Sequence, residues 1–158
     1  MQITKKIETE TGHRLTNYAG KCAHLHGHRY QWEVTVSAEH LDETGFVMDY
    51  GDLKAFLIST IDQLDHAMLL HTDDPLVRMC ASIADVKKML GATNGMAPRL
   101  FLLPFNPTTE NLLKWQAGKI MALLKATGKT RFTLEHIRVY ETSSSFGDWY
   151  KSDPVILF

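Results

Sequence analysis

The chain has 158 residues, 44% of them hydrophobic, which is enough for one packed domain and too many for a disordered polypeptide. Its formal net charge of −1 creates no overall field that would attract nucleic acid or an anionic membrane, so local basic groups must hold any anionic substrate. Neither a membrane-spanning apolar run nor the apolar segment of a secretory signal is present, and we expect a cytoplasmic protein with no nucleic-acid or membrane partner.

The first half of the chain predicts two strands followed by a helix. Residues 2–12 mix isoleucines with threonines and charged residues, which is typical of a half-exposed strand. Residues 28–37 alternate between polar side chains and an apolar face formed by Tyr30, Trp32, Val34 and Val36. Asp49 is a candidate N-cap for a helix with apolar residues at helical spacing, which we expect to end near His66.

The second half predicts another long helix and two more strands. Thr108 is the candidate N-cap of this helix, and Gly128 is its expected end. Residues 131–141 and 149–157 predict the last two strands. The preceding segment, about 71–106, is irregular: it has an Asp-Pro start, a short helix over 83–90 and breaks at Gly91, Gly95 and Pro98.

The resulting order ββααββ predicts an α+β fold in a single domain, 1–158, with the irregular segment as an insertion. We expect an antiparallel four-stranded sheet with both helices packed on one face. Such a sheet has two open edges, which proteins usually pair or cover.

Histidines are concentrated around the loop between the first two predicted strands: four of the eight lie in residues 13–28. His26 and His28 are two residues apart, so in a strand their imidazoles share one face. His13 ends the first strand and reaches the same place if the two strands pair antiparallel. Three neutral imidazoles suit Zn²⁺ and leave a fourth position open for chemistry. An accidental surface pair remains an alternative, and His24 is a competing ligand.

Cys22 is the second candidate functional residue. It lies four residues before His26 and next to Lys21, and both a cation and a nearby metal lower the pKa of a thiol. A thiolate at this position would act as a general base or a nucleophile. The alternative is an inert buried cysteine, which is the better interpretation for Cys80.

Asp65-His66 and Glu141 are the remaining candidates. A carboxylate beside an imidazole raises its basicity, so this pair could complete a relay with the thiol. Glu141 stands at a strand end, where a carboxylate can accept two hydrogen bonds from a planar, guanidine-like edge of a ligand. A helix-terminal His66 and a solvated Glu141 explain the same residues without a function.

Together these residues resemble the 6-pyruvoyl-tetrahydropterin synthase and 6-carboxytetrahydropterin synthase family. The similarity extends over most of the chain, in six short motifs that keep the same order: Gly12-His13-Arg14-Leu15, Cys22-Ala23-His24-Leu25-His26-Gly27-His28, Gly45-Phe46-Val47-Met48-Asp49-Tyr50, Leu64-Asp65-His66, Pro107-Thr108-Thr109-Glu110-Asn111-Leu112 and Tyr140-Glu141-Thr142.

The resemblance implies roles for these residues. The zinc ligands of the family correspond to His13, His26 and His28. The positions implied for catalysis are Cys22, Asp65, His66 and Glu141, and those implied for holding the pterin ring are Glu141, Thr108 and Thr109. The family fold is the tunnelling fold, whose sheets close into a trimeric β-barrel; two trimers stack into a hexamer with active sites between subunits.

Three residues separate Cys22 from His26, which is similar to the 6-carboxytetrahydropterin synthases of queuosine and 7-deazapurine biosynthesis; the pyruvoyl enzymes have a longer gap. The resemblance therefore implies a zinc-dependent carbon–carbon lyase acting on 7,8-dihydroneopterin triphosphate. A 6-pyruvoyl-tetrahydropterin synthase is the alternative within the family, and a zinc hydrolase or a zinc-stabilised binding module are alternatives outside it. Arg14 and Lys21 are candidates for holding the triphosphate.

Overall fold

The computed structural model describes residues 1–80, 82–91 and 99–158. Its regular elements, in chain order, are β1 (Gln2–His13), β2 (His26–Ala38), α1 (Tyr50–Ile58), β3 (Ala67–His71), α2 (Pro75–Arg78), α3 (Ile83–Met89), β4 (Arg99–Leu103), α4 (Thr109–Ala126), β5 (Phe132–Thr142) and β6 (Ser145–Tyr150). Two 3₁₀ turns, Lys21–Ala23 and Asp62–Leu64, follow β1 and α1. The expected chain breaks at Gly95 and Pro98 lie outside the described residues.

The sheet has six strands in the order β4-β3-β1-β2-β5-β6. The four strands β1, β2, β5 and β6 pair antiparallel, as predicted. The prediction of a four-stranded, wholly antiparallel sheet in the order ββααββ is nevertheless wrong, because β3 and β4 extend the sheet in parallel beyond β1. β3 is the apolar run Ala67–His71, and its parallel partners lie far away in the sequence, so no local pattern indicates the pairing.

Both long helices begin at the predicted N-caps. The Asp49 carboxylate accepts hydrogen bonds from the backbone N–H groups of Gly51 and Asp52 at the start of α1. The helix ends at Ile58, earlier than predicted, and the chain continues through the second 3₁₀ turn. Thr108 caps α4 through its hydroxyl, and Gly128 follows the end of this helix with a φ of 67°.

One face of the sheet forms the core. The predicted apolar face of β2 is confirmed, because Tyr30, Trp32, Val34 and Val36 are fully buried. They belong to one apolar cluster with Leu53 and Leu57 of α1 and with residues of α4, so both long helices cover the same face. No helix within the described residues is long and apolar enough to cross a membrane.

The C-terminal segment differs from the prediction. The last strand, β6, covers Ser145–Tyr150, and residues 151–158 form no strand. The tail instead packs on α4: the Ile156 N–H donates to the Lys114 carbonyl oxygen, and the Phe158 ring stacks on Trp115. At Gly118 a Cβ atom would stand 2.5 Å from the Ile156 carbonyl oxygen, so this close approach requires glycine.

Candidate metal centre and active site

Three histidines meet where β1 ends and β2 begins. In the antiparallel register His13 lies opposite His26, and Thr11 lies opposite His28. Because alternate residues of a strand share a face, all three imidazoles project to the side that carries the helices. One nitrogen from each ring lies within 4.8 Å of the others. The predicted grouping of the three side chains is confirmed, and the residue paired with His13 across the two strands is His26.

Backbone carbonyls fix the orientation of two of these rings. The Nδ1–H of His13 donates to the Pro107 carbonyl oxygen at 2.8 Å, and the Nδ1–H of His26 donates to the His24 carbonyl oxygen at 2.8 Å. The Nε2 lone pairs are therefore free, and the two Nε2 atoms stand 3.0 Å apart. Two ligands at Zn–N distances of about 2.05 Å in a tetrahedron are about 3.3 Å apart, so the observed separation is close to that of a zinc site.

His28 completes the set. Its Nε2 is buried without a hydrogen-bond partner among the described residues; it lies 3.2 Å from Glu141 Oε1, outside hydrogen-bond geometry. Burial is the main cause that lowers the pKa of both His13 and His28 below the ordinary value, and the neutral imidazole is the form that binds a metal. An unpaired nitrogen beside two convergent lone pairs fits a divalent metal such as Zn²⁺.

Glu141 connects the histidines to the start of α4. Its second carboxylate oxygen, Oε2, accepts a hydrogen bond from the Thr109 hydroxyl, while Thr108 serves as the N-cap of the same helix. Glu141 is also one of the residues lining a cavity of about 610 Å³, a volume within the usual size range of small-molecule sites. It is lined along the open face of the sheet by Lys6, Glu8, Arg29, Gln31, Tyr140, Glu141, Thr142 and Ser143.

Cys22 lies in the 3₁₀ turn between β1 and β2 and is half-buried. Its carbonyl oxygen accepts a hydrogen bond from the Leu15 N–H at 2.8 Å, which returns the turn to the end of β1. The Tyr30 ring contacts His13 and His28 edge-on. Burial is the main cause that raises the pKa of Tyr30. Because Leu15 lies two residues after His13 and Cys22 lies four residues before His26, the Leu15–Cys22 hydrogen bond holds the loop that bears the thiol at the end of the strands that carry the histidines.

Asp65 and His66 form the predicted pair, with 2.7 Å between Asp65 Oδ2 and His66 Nδ1. The other carboxylate oxygen accepts a hydrogen bond from the Glu10 N–H, which is the largest cause lowering the pKa of Asp65. Arg99 of β4 donates to the Asp65 carbonyl oxygen. The His66 N–H donates to the Glu10 carbonyl oxygen, and the His66 side chain is 77% exposed. Within the described residues, neither Asp65 nor His66 belongs to the cluster of metal-ligating candidates.

The two candidates for the triphosphate have different surroundings. Arg14 is committed to an ion pair, because its Nε stands 3.1 Å from Oδ2 of the fully buried Asp74. Lys21 is exposed. Gly12, which precedes the first metal-ligating candidate, is covered by Met68: a Cβ atom there would lie 2.6 Å from the end of that side chain.

Sequence reasoning missed the groups that orient the site. Tyr30 was assigned only to the apolar face of β2, yet its hydroxyl lies 3.4 Å from His13 Nδ1. The Pro107 and His24 carbonyl oxygens, which hold the imidazoles, are backbone atoms, and no residue pattern marks them. A carbonyl partner for a metal-binding histidine is a general expectation, but its position requires the fold.

Comparison with known proteins identifies relatives over nearly the whole chain. A family model described as 6-pyruvoyl tetrahydropterin synthase matches residues 2–151. The 6-carboxy-5,6,7,8-tetrahydropterin synthase of Rickettsia bellii is 31% identical over 147 residues, covering 92% of this chain and 97% of that protein. The protein of the same name from Aquifex aeolicus is 34% identical, covering 94% and 96% of the two chains.

Solved structures agree on the fold. An uncharacterized protein from Wolinella succinogenes superposes with a TM-score of 0.73 at 22% identity, covering 96% of this chain and 98% of that one. The 6-pyruvoyltetrahydropterin synthase of Plasmodium vivax superposes with a TM-score of 0.63 at 16% identity, with the same coverage.

Proposed function

The chain belongs to the 6-pyruvoyl tetrahydropterin synthase family, and from this premise we propose that it is a zinc-dependent 6-carboxy-5,6,7,8-tetrahydropterin synthase. The reaction converts 7,8-dihydroneopterin triphosphate and one water molecule to 6-carboxytetrahydropterin, acetaldehyde and triphosphate. We place it in the biosynthesis of queuosine or another 7-deazapurine, in the cytoplasm. The names of the relatives and the short Cys22–His26 gap support this branch of the family.

The observation that carries the proposal is the convergence of His13, His26 and His28, with Glu141 beside them. These three imidazoles would hold Zn²⁺, which when bound supplies a Lewis acid for the hydroxyl and carbonyl oxygens of the substrate side chain. The Pro107 and His24 carbonyl oxygens keep the rings in the ligating orientation. A structural zinc module or a zinc hydrolase has no support from the family match.

Glu141 and the start of α4 would hold the pterin. The carboxylate of Glu141 accepts two hydrogen bonds from the guanidine-like edge of the ring, and the Thr109 hydroxyl keeps this carboxylate in place. Thr108 stands next to Thr109 at the helix N-terminus. A ring fixed in this way presents its side chain to the histidines in one pose, which lowers the entropic cost of reaction.

Cys22 and His66 would move the protons. Cys22 lies in the loop that joins the strands carrying His13 and His26, whereas His66 follows the second 3₁₀ turn and is 77% exposed. We propose that the Asp65–His66 pair acts in the site of a neighbouring subunit of a homohexamer, built as a dimer of trimers. Two free strand edges support such an assembly: within the described residues, β3 covers β1 only at Thr11–His13, and β6 pairs only with β5.

Product analysis tests the proposal. Purified protein is incubated with 7,8-dihydroneopterin triphosphate, and trapped acetaldehyde is counted against released triphosphate. We expect a ratio near one, together with 6-carboxytetrahydropterin in the mass spectrum. Triphosphate without acetaldehyde, accompanied by 6-pyruvoyl-tetrahydropterin, would instead assign the chain to the pyruvoyl branch. The Cys22→Ala variant should form neither product.

A further inference from the structure

The short segment that leads into α4 contacts several separate parts of the site. The Pro107 carbonyl oxygen accepts the hydrogen bond from His13, and the Thr109 hydroxyl donates to Glu141. These two contacts orient one metal-ligating candidate and the carboxylate assigned to the pterin. Asn106, which precedes them, makes no hydrogen bond to the three histidines or to Glu141 within the described residues, and its side chain contacts Thr16 instead.

The Asn106 side chain makes a two-sided contact with the backbone of Thr16. Its Oδ1 accepts a hydrogen bond from the Thr16 N–H at 2.8 Å, and its Nδ2 donates to the Thr16 carbonyl oxygen at 2.9 Å. Thr16 is 4% exposed, and a buried backbone group without a partner is costly. The Asn106 amide therefore satisfies both backbone hydrogen-bonding groups of Thr16, as a neighbouring strand would do in a sheet.

Thr16 belongs to the loop that carries Cys22. The residue before it, Leu15, donates its N–H to the Cys22 carbonyl oxygen at 2.8 Å. The loop between β1 and β2 is otherwise closed by the short 3₁₀ turn over Lys21–Ala23. A single connected path thus runs from the Asn106 amide through Thr16 and Leu15 to the residue that bears the thiol.

From this path we infer that Asn106 is a positioning residue for the Cys22 thiol. It fixes the base of the loop against the same segment that orients His13, so the thiol and the imidazoles share one support. The inference rests on the proposed function only in taking Cys22 as the proton-transfer group. Asn106 itself contacts neither metal nor substrate, and it acts through the loop.

Thiol alkylation in two Asn106 variants tests the inference. The background is Cys80→Ser, so that iodoacetamide reports on Cys22 alone. Asn106→Ala removes both hydrogen bonds. Asn106→Asp keeps the size of the side chain but places an acceptor against the Thr16 carbonyl oxygen. One lost hydrogen bond multiplies the open-loop population about fivefold, and two multiply it about thirtyfold, so the alkylation rate should rise at least about fivefold in both variants.

Turnover measurements separate positioning from packing. We expect kcat to fall about tenfold or more while KM stays within about twofold of the parent, because the thiol moves and the pterin contacts remain. Metal content should equal that of the parent protein. Gln2→Glu, which makes the same chemical change at the far end of β1, is the control and should match the parent in every measurement.

Parent-like alkylation in Asn106→Ala, or parent-like kcat in spite of faster alkylation, would overturn the inference. An Asn106→Asp variant that behaves like the parent would show that the side chain only fills space, and would overturn it as well. If Asn106→Ala is too unstable to measure, the isosteric variant carries the test alone. Failure of the proposed function has a different signature, namely full turnover in Cys22→Ala, and leaves the alkylation result intact.

Discussion

The ion pair between Arg14 and Asp74 predicts an unequal response to loss of either partner. Arg14 follows the metal-ligating candidate His13, and Asp74 caps the short helix α2, so the pair joins the end of β1 to the inserted segment. The Asp74 side chain is 0% exposed and the Arg14 side chain is 20% exposed. If Asp74 is replaced, the Arg14 guanidinium can therefore still reach water. If Arg14 is replaced, the Asp74 carboxylate cannot.

The magnitudes follow from burial. Arg14→Met leaves a buried, unpaired carboxylate and should lower the free energy of unfolding by about 3–5 kcal/mol. Asp74→Asn keeps an oxygen for the cap on the Leu76 N–H and leaves a guanidinium close to solvent, so we expect a loss of about 1–2 kcal/mol. The double variant has a neutral amide at position 74, so it leaves no charge buried without a partner and should be more stable than Arg14→Met alone.

Urea denaturation of the metal-free protein, at one protein concentration for all variants, measures these differences without the stability added by ligand binding. The reasoning is refuted if Arg14→Met costs less than Asp74→Asn, or if the cost in the double variant is the sum of the two single costs.

Three further predictions concern the metal, acid stability and assembly. His13→Ala, His26→Ala and His28→Ala should each lose zinc in elemental analysis while Cys22→Ala retains it; full zinc in any of the three histidine variants would remove that residue from the site. Burial lowers the pKa of His13 and His28 in the folded state, so the unfolded chain binds more protons; the stability of the metal-free protein should be complete above about pH 6.5 and decline below it. Urea titrations at pH 7.5 and 5.5 check this, and equal stability at both would contradict it. Light scattering should give a hexamer, and a stable, active monomer would be the opposite result.

Much of the fold could be predicted because its signals are local. The alternation in β2 and the caps Asp49 and Thr108 depend on neighbouring residues, and all three predictions agree with the structure. β3 and β4 could not be predicted in the same way, because their short apolar runs are stabilised by parallel partners distant in the chain. The predicted last strand failed for a related reason: the apolar residues of 154–158 pack on α4.

In the candidate site, too, the residues placed by local strand geometry could be predicted, and those placed by distant contacts could not. His26 and His28 share a face because of strand geometry, and His13 joins them through a pairing of adjacent strands, so the sequence was sufficient to group them. The Asp65–His66 pair was expected with Cys22, but the register of β3 against β1 sets it beside the backbone of Glu10, ahead of the paired residues. Contacts of side chains with distant backbone, such as Asn106 with Thr16, leave no pattern in the sequence.

The close approach of the C-terminal tail to α4 also limits how the chain can evolve. Any residue larger than glycine at position 118 meets the Ile156 carbonyl oxygen at 2.5 Å and a Leu157 methyl at 2.9 Å. The Ile156 carbonyl oxygen is a backbone atom and cannot rotate away as a side chain can. A larger residue at position 118 is therefore incompatible with the tail packed on α4. Gly118 and the tail should therefore be inherited together: lineages that shorten the C-terminus are free to vary this helix position, and those that keep it are not.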